Sequence, residues 1–105
     1  MTYTQVRAIG LKMQNVVDGT SYGAPALKVK TKLLVRLREE LDSIVLPMPF
    51  ETRDALIAED PATYYITDHY LNYEYVLVYL SRVKADQLRY LLAISYRMAT
   101  KKTKS

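Results

Sequence analysis

The only histidine of the chain, His69, follows Asp68 within a tyrosine-rich stretch, YYITDHYLNYEYVLVYL. An imidazole titrating near neutral pH can act as a general base when an acid such as Asp68 orients it. Adjacent residues of a strand point to opposite faces, so this pairing requires that the segment be a loop. The favoured alternative is structural, with both ring nitrogens of His69 bridging the loop to backbone groups. The substitution His69→Ala is then expected to lower the free energy of unfolding by about 1–3 kcal/mol. No nucleophile accompanies His69, and no catalytic residue is assigned.

The aromatic residues are mostly tyrosines, with ten tyrosines, one phenylalanine and no tryptophan. We favour the interpretation that these tyrosines are amphipathic residues of the core and its boundary. The functional alternative is a small-molecule pocket formed by Tyr22, His69 and Tyr70, in which Arg53 holds a carboxylate or phosphate through two parallel hydrogen bonds.

Five basic residues occupy even positions with no acid between the first and the last: Lys28, Lys30, Lys32, Arg36 and Arg38. On one face of a two-stranded hairpin they would form a basic ribbon that contacts the phosphates of a nucleic acid. The alternative is a solvated strand face, on which lysines discourage pairing with another sheet edge.

The net charge of +4 does not by itself indicate nucleic-acid binding. Four basic residues and no acid lie in residues 97–105, and the rest of the chain is formally neutral. We expect a single domain over residues 1–99 and a flexible basic tail over residues 100–105. Cysteine is absent, which excludes disulfides and thiol chemistry. Without a long apolar segment, a cytoplasmic protein with no membrane contact is expected.

The periodicity predicts an α+β domain with the element order αβββαββα and a mainly antiparallel sheet. Helices are expected at about 3–14, at 51–59 and from Asp86 to Ala99, the first with a capping box of Thr2 and Gln5. Strands are expected around a three-residue turn at 30–32, then at 43–46, 64–67 and 75–83. The segment NVVDGTSYGAP, which combines Asp-Gly, Tyr-Gly and Ala-Pro, predicts a loop.

Three segments together resemble the YjbR/MmcQ-like family. They are SYGAPALKV (21–29), the helix ETRDALIAEDP with Arg53, and the stretch that joins His69-Tyr70 to a Val-Leu-Val strand. The resemblance implies a compact α+β fold, described for the family as frataxin-like and as similar to a double-wing DNA-binding domain. Members are often described as DNA-binding on that basis, which is an inference from fold.

Two positions depart from the family pattern. Thr31-Lys32 stands where Gly-Lys is common, and a β-branched residue resists a positive φ, so the hairpin turn is expected to differ. Tyr75 stands where a tryptophan is frequent. Frataxin-like iron binding does not carry over either, because the first helix lacks the carboxylates that a hard cation needs. No metal site or cofactor is predicted.

Two hypotheses follow from these observations. The favoured one is a non-enzymatic, monomeric DNA-binding protein that uses the basic ribbon. The alternative is a binding or catalytic pocket centred on His69 and its neighbouring tyrosines.

Overall fold

Three helices and six strands form one α+β domain in the computed structural model, which describes residues 1–101. The predicted fold class and element order are confirmed, with one additional strand. From Lys102 onwards, the predicted basic tail lies outside the described residues. The elements are α1 (Tyr3–Gly10), β1 (Val16–Ser21), β2 (Ala24–Val29), β3 (Lys32–Arg38), β4 (Ser43–Pro47), α2 (Phe50–Glu59), β5 (Tyr64–Tyr65), β6 (Tyr75–Tyr79) and α3 (Ala85–Thr100).

The additional strand, β1, lies where the sequence predicts a loop. It pairs antiparallel with β2, from Val16 opposite Val29 to Ser21 opposite Ala24. The Tyr22-Gly23 pair forms the two-residue turn, and both residues have positive φ (51° and 76°). Positive φ at both central residues defines a type I′ turn, which matches the twist of paired strands. Of the three dipeptides on which the predicted loop rests, only Tyr22-Gly23 forms a turn; Asp18-Gly19 lies in β1 and Ala24-Pro25 in β2.

The six strands form one antiparallel sheet in the order β1-β2-β3-β4-β6-β5. The predicted three-residue turn between β2 and β3 is wrong, because Val29 pairs with Lys32 and leaves two residues in the turn. Lys30, not Thr31, has the positive φ, 58°. An irregularity between Leu27 and Lys28 then shifts the register by one residue.

The first helix is shorter than predicted. Its capping box is present, with the Thr2 side chain accepting from the Gln5 backbone and the Gln5 side chain accepting from the Thr2 backbone. The helix ends at Gly10, since the backbones of Lys12 and Met13 donate three residues back in tighter turns. The last two strands are also shorter than predicted. β6 ends at Tyr79 because Arg82 and Val83 both donate to the Tyr79 carbonyl and turn the chain.

The two faces of the sheet have different environments. Helices α1 and α3 cover one face, here called the helix face, and bury Leu27, Leu34, Ile44 and Val78 in the main core. The opposite face, here called the open face, has a smaller cluster of Val45, Leu77 and Tyr70. Within residues 1–101, no helix has both the length and the apolar character needed to cross a bilayer.

Candidate anion-binding groove on the open face

A groove of about 790 Å³ lies on the open face of the sheet. One wall is the turn between β1 and β2, and the other is the loop between β5 and β6. Strands β3 and β4 form its floor. The side chains with polar or aromatic groups at this groove include Tyr22, Arg36, Arg38, His69, Tyr70 and Tyr73.

Two arginines of β3 converge on a single neutral atom in the groove. Arg36 Nη2 donates to the Tyr70 hydroxyl oxygen at 2.9 Å, and Arg38 Nη1 donates to the same oxygen at 2.7 Å. A phenol oxygen has two acceptor sites, and both are used here. Arg38 Nε also donates to the exposed Glu40 carboxylate, at 3.3 Å. The Tyr70 hydroxyl hydrogen and the other N–H groups of the two guanidiniums remain as donors at the groove.

The positive charge of this cluster is only partly compensated. Glu40 is the one acidic residue at the groove within the described part of the chain, and it lies 3.3 Å from Arg38 Nε. The Glu40 side chain is 64% exposed, and such exposed ion pairs contribute little. Partial burial works to lower the pKa of Arg38, but its contacts with Tyr70 and Glu40 outweigh burial, and the pKa is raised. The guanidinium therefore stays charged.

Arg53 of α2 holds the loop that carries Tyr70. Its side chain is buried, and Nη1 donates to three backbone carbonyls, those of Tyr70, Leu71 and Tyr73, at 3.3, 3.3 and 3.0 Å. A planar guanidinium can satisfy several acceptors at once from one fixed position. Arg53 does not line the groove. Its position is that of a support beneath the loop, in contrast to the predicted role of a ligand-binding side chain.

His69 lies at the groove and is exposed. Its ring contacts the Tyr70 ring edge-on, with 5.0 Å between centroids. Within residues 1–101, the imidazole makes no hydrogen bond to backbone or to a carboxylate, so the structure does not support its interpretation as the anchor of the loop. Asp68 and His69 lie in a short 3-10 turn, Asp68–Tyr70, and not in a strand.

The other tyrosines of the open face support the groove from one side. Tyr65 and Tyr79 stack with centroids 4.4 Å apart. The Ser43 hydroxyl donates to the Leu41 carbonyl, which leaves the Tyr65 hydroxyl to donate to Ser43 Oγ at 2.7 Å. Burial raises the pKa of Tyr65. The stacked pair and its hydrogen bond to Ser43 are thus structural features of the open face.

The predicted basic ribbon is divided between different parts of the sheet. Residues paired across antiparallel strands share a face. Lys28 pairs with Leu33, which lines the groove, and so lies on the open face together with Arg36 and Arg38. Lys32 pairs with the buried Val29 and lies towards the helix face, while Lys30 is exposed in the turn. The groove thus unites Tyr22, His69 and Tyr70 with two arginines of the ribbon.

The YjbR family model matches residues 11–98 of the chain. The chain belongs to the YjbR family. No curated protein and no solved structure matches it.

In this YjbR protein, the matched region includes every strand and all residues that form the groove. Tyr73 was not singled out from the sequence, although its side chain is 57% exposed beside the groove. Its position in the same tyrosine-rich loop as Tyr70 was the available signal. Among the described residues, no three acidic, histidine or cysteine side chains come together as metal ligands.

Proposed function

We propose that this YjbR-family protein is a non-enzymatic nucleic-acid-binding protein and that the groove on the open face contacts phosphate groups. The observation that carries the proposal is the pair of guanidinium groups that share one neutral phenol oxygen. Phosphate oxygens are acceptors only, and arginine is well suited to bind them through parallel hydrogen bonds.

The electrostatics of the pair favour an anionic ligand. Both donor nitrogens lie within 3 Å of the same oxygen, so the two guanidinium groups are close neighbours, and like charges held close together repel each other. A neutral hydroxyl does not cancel this repulsion. A phosphate placed against both groups would replace repulsion by attraction.

Neighbouring charges extend the same surface. Lys28 lies on the same open face, two residues along β2 from Ala26, the partner of Arg36, and Lys30 is exposed at the end of the hairpin. A phosphodiester chain running along β3 would therefore meet several cations in succession. The likeness to a double-wing DNA-binding domain that the family resemblance implies points in the same direction, and a cytoplasmic location belongs to this proposal.

The lack of a hydrogen-bond partner for the His69 imidazole within residues 1–101 favours a binding role over catalysis. A general base is normally oriented by a hydrogen bond to its second nitrogen. Within residues 1–101, the His69 imidazole has no such partner, and the hydroxyls at the groove belong to Ser21, Thr67 and tyrosines that do not contact it by a hydrogen bond.

The test is fluorescence anisotropy with a labelled 12-nucleotide oligonucleotide across a range of salt concentrations. In the double variant Arg36→Gln/Arg38→Gln, we expect affinity to fall at least tenfold. The slope of log K against log salt should become shallower by about 1.4 for two lost phosphate contacts on a single strand, or about 1.8 on a duplex. Arg82→Gln/Arg89→Gln removes the same charge from exposed residues that do not line the groove and is the matched control. Equal loss in both double variants would contradict the proposal.

A second candidate function is the binding of a small anionic molecule. The volume of the groove, about 790 Å³, lies within the range typical of small-molecule pockets. Calorimetry with inorganic phosphate and a mononucleotide tests this candidate. A mononucleotide that binds as tightly as a 12-nucleotide strand would favour the small-molecule function over nucleic-acid binding.

A further inference from the structure

We propose that the groove takes single-stranded nucleic acid, with one unpaired base stacked on the ring of Tyr22. This inference rests on the proposed function, because Arg36 and Arg38 supply the phosphate contacts beside that base. It adds a separate determinant, an aromatic side chain that recognises the face of a base.

The backbone of Tyr22 has a conformation that an aromatic residue rarely adopts. Its φ of 51° is the first positive φ of the two-residue turn, and the second belongs to Gly23. Asparagine, aspartate and glycine are the residues that favour such positions. A non-glycine residue held there costs stability, and such residues concentrate at functional sites.

The ring of Tyr22 contributes little to the core. Its side chain is 95% exposed, more than any other large hydrophobic residue among residues 1–101. Folding therefore gains almost nothing from burying this ring, and a polar residue would serve the turn better. The combination of an unfavourable backbone position and an unburied ring indicates that the ring is kept for a contact outside the fold.

The position of the ring is nevertheless defined. Arg36 Cζ lies 5.3 Å from the centroid of the Tyr22 ring, within the range of a cation–π contact. The same guanidinium donates to the Tyr70 hydroxyl in the groove. Arg36 thus joins a stacking surface to a phosphate site, and adjacent phosphate and base groups occur in every nucleotide of a strand.

The opposite wall of the groove offers further ring surface. Tyr73 is 57% exposed, and its centroid lies 6.5 Å from that of His69. Bases of a duplex are stacked on one another and present only their edges, so their faces are not available to side chains. Exposed rings next to arginines are instead the usual means of binding unpaired bases without strong sequence preference.

The test compares three labelled 12-unit DNA probes by anisotropy: oligo-dT, a duplex, and an abasic strand that keeps the phosphates but has no bases. For the wild-type chain, we expect oligo-dT to bind more tightly than either other probe. Loss of one stacked base should weaken binding about 5- to 100-fold. A matching oligo-U strand shows whether RNA is bound in the same way.

Variants of Tyr22 separate the ring from the backbone. Tyr22→Asn suits the positive φ and should fold at least as stably as the wild type, yet its affinity for oligo-dT should fall towards that for the abasic strand. Tyr22→Phe keeps the ring and should retain most of the affinity. Thermal denaturation by circular dichroism checks the fold of both variants.

The outcomes distinguish this inference from the proposed function. If Tyr22→Asn binds oligo-dT as tightly as the wild type, or if all three probes bind equally, the stacking proposal is overturned. The proposed function still stands in that case, provided that Arg36→Gln/Arg38→Gln weakens binding. If none of the probes binds to the wild-type chain, both proposals fail.

Discussion

The two faces of the same sheet are organised in different ways. The helix face buries aliphatic side chains from nearly every strand beneath α1 and α3. The open face has a small apolar cluster, and beside it two arginines that donate to one phenol, stacked tyrosines and a loop held by a buried arginine. We infer that stability resides mainly in the helix face, while the open face is free to carry a polar site.

Leu33 and Leu34 provide the sharpest test of this difference, since they are neighbours of the same type on opposite faces of β3. Leu34 is fully buried against the helices, and its loss leaves a cavity, so Leu34→Ala should cost about 2–5 kcal/mol of unfolding free energy. Leu33 is half-buried at the groove, and Leu33→Ala should cost about 1 kcal/mol. Denaturation by urea measures both values.

The two variants should rank in the opposite order when their loss of affinity for an oligonucleotide is compared. Measured where both are folded, Leu34→Ala should keep the wild-type affinity for an oligonucleotide, whereas Leu33→Ala changes the floor of the groove and should weaken binding. Equal stability losses would show that the open face contributes to the core as much as the helix face does.

Arg53 matters both for stability and for the groove, because it is a buried residue that supports the open face. Arg53→Lys keeps the charge, but the lysine side chain ends one bond short of the Nη1 position and lacks the Nε–H that donates to Asp54, so it should leave some of the three loop carbonyls without a donor. We expect a stability loss of about 2–3 kcal/mol and faster amide exchange in residues 67–74. Hydrogen exchange measured by mass spectrometry checks the location of the effect.

Arg36 serves as the control for this variant, because it donates to the side chain of Tyr70 and not to the loop backbone. Arg36→Gln should remove a groove donor without exposing loop carbonyls, so exchange in residues 67–74 should change little. A uniform increase in exchange across the sheet of Arg53→Lys would argue against a local role in holding the loop.

Apolar periodicity made the helix face predictable. The odd positions Leu27, Val29, Leu33, Val35 and Leu37 predict one buried face, and all but Leu33 pack on the helix face. Leu33 lies at the groove and Leu34 is buried in its place, because the irregularity near Lys28 shifts the register. The stripe of α3 residues Leu88, Leu91 and Leu92 repeats at helical intervals and is buried. Strand β1 gave no such pattern, because Val17 to Thr20 are all exposed at the sheet edge. An edge strand with little burial has few sequence constraints, and its existence depends on pairing with β2.

The site was predictable in its parts but not in its assembly. Tyr22, His69 and Tyr70 were assigned to a pocket, and Arg36 and Arg38 to a separate ribbon. Antiparallel pairing across β3, β4 and β6 brings these segments together, although Arg36 and Tyr70 are 34 residues apart. Local periodicity contains no information on such long-range contacts, and the irregularity near Lys28 altered which lysines share the face.

His69→Ala has the smallest expected effect on stability. It tests whether His69, and not only Arg53, holds the loop between β5 and β6. The imidazole is exposed and has no hydrogen-bond partner within residues 1–101, so its removal leaves no buried group unsatisfied. We therefore expect a stability change below about 0.5 kcal/mol, the range of ordinary surface substitutions, in place of the larger loss that the sequence suggested. Chemical denaturation at pH 7.5 measures it, and His69→Gln, which keeps a polar side chain of similar reach, is the matched control. A loss above 1 kcal/mol for alanine but not for glutamine would restore a structural role for His69 and weaken the assignment of the loop to Arg53.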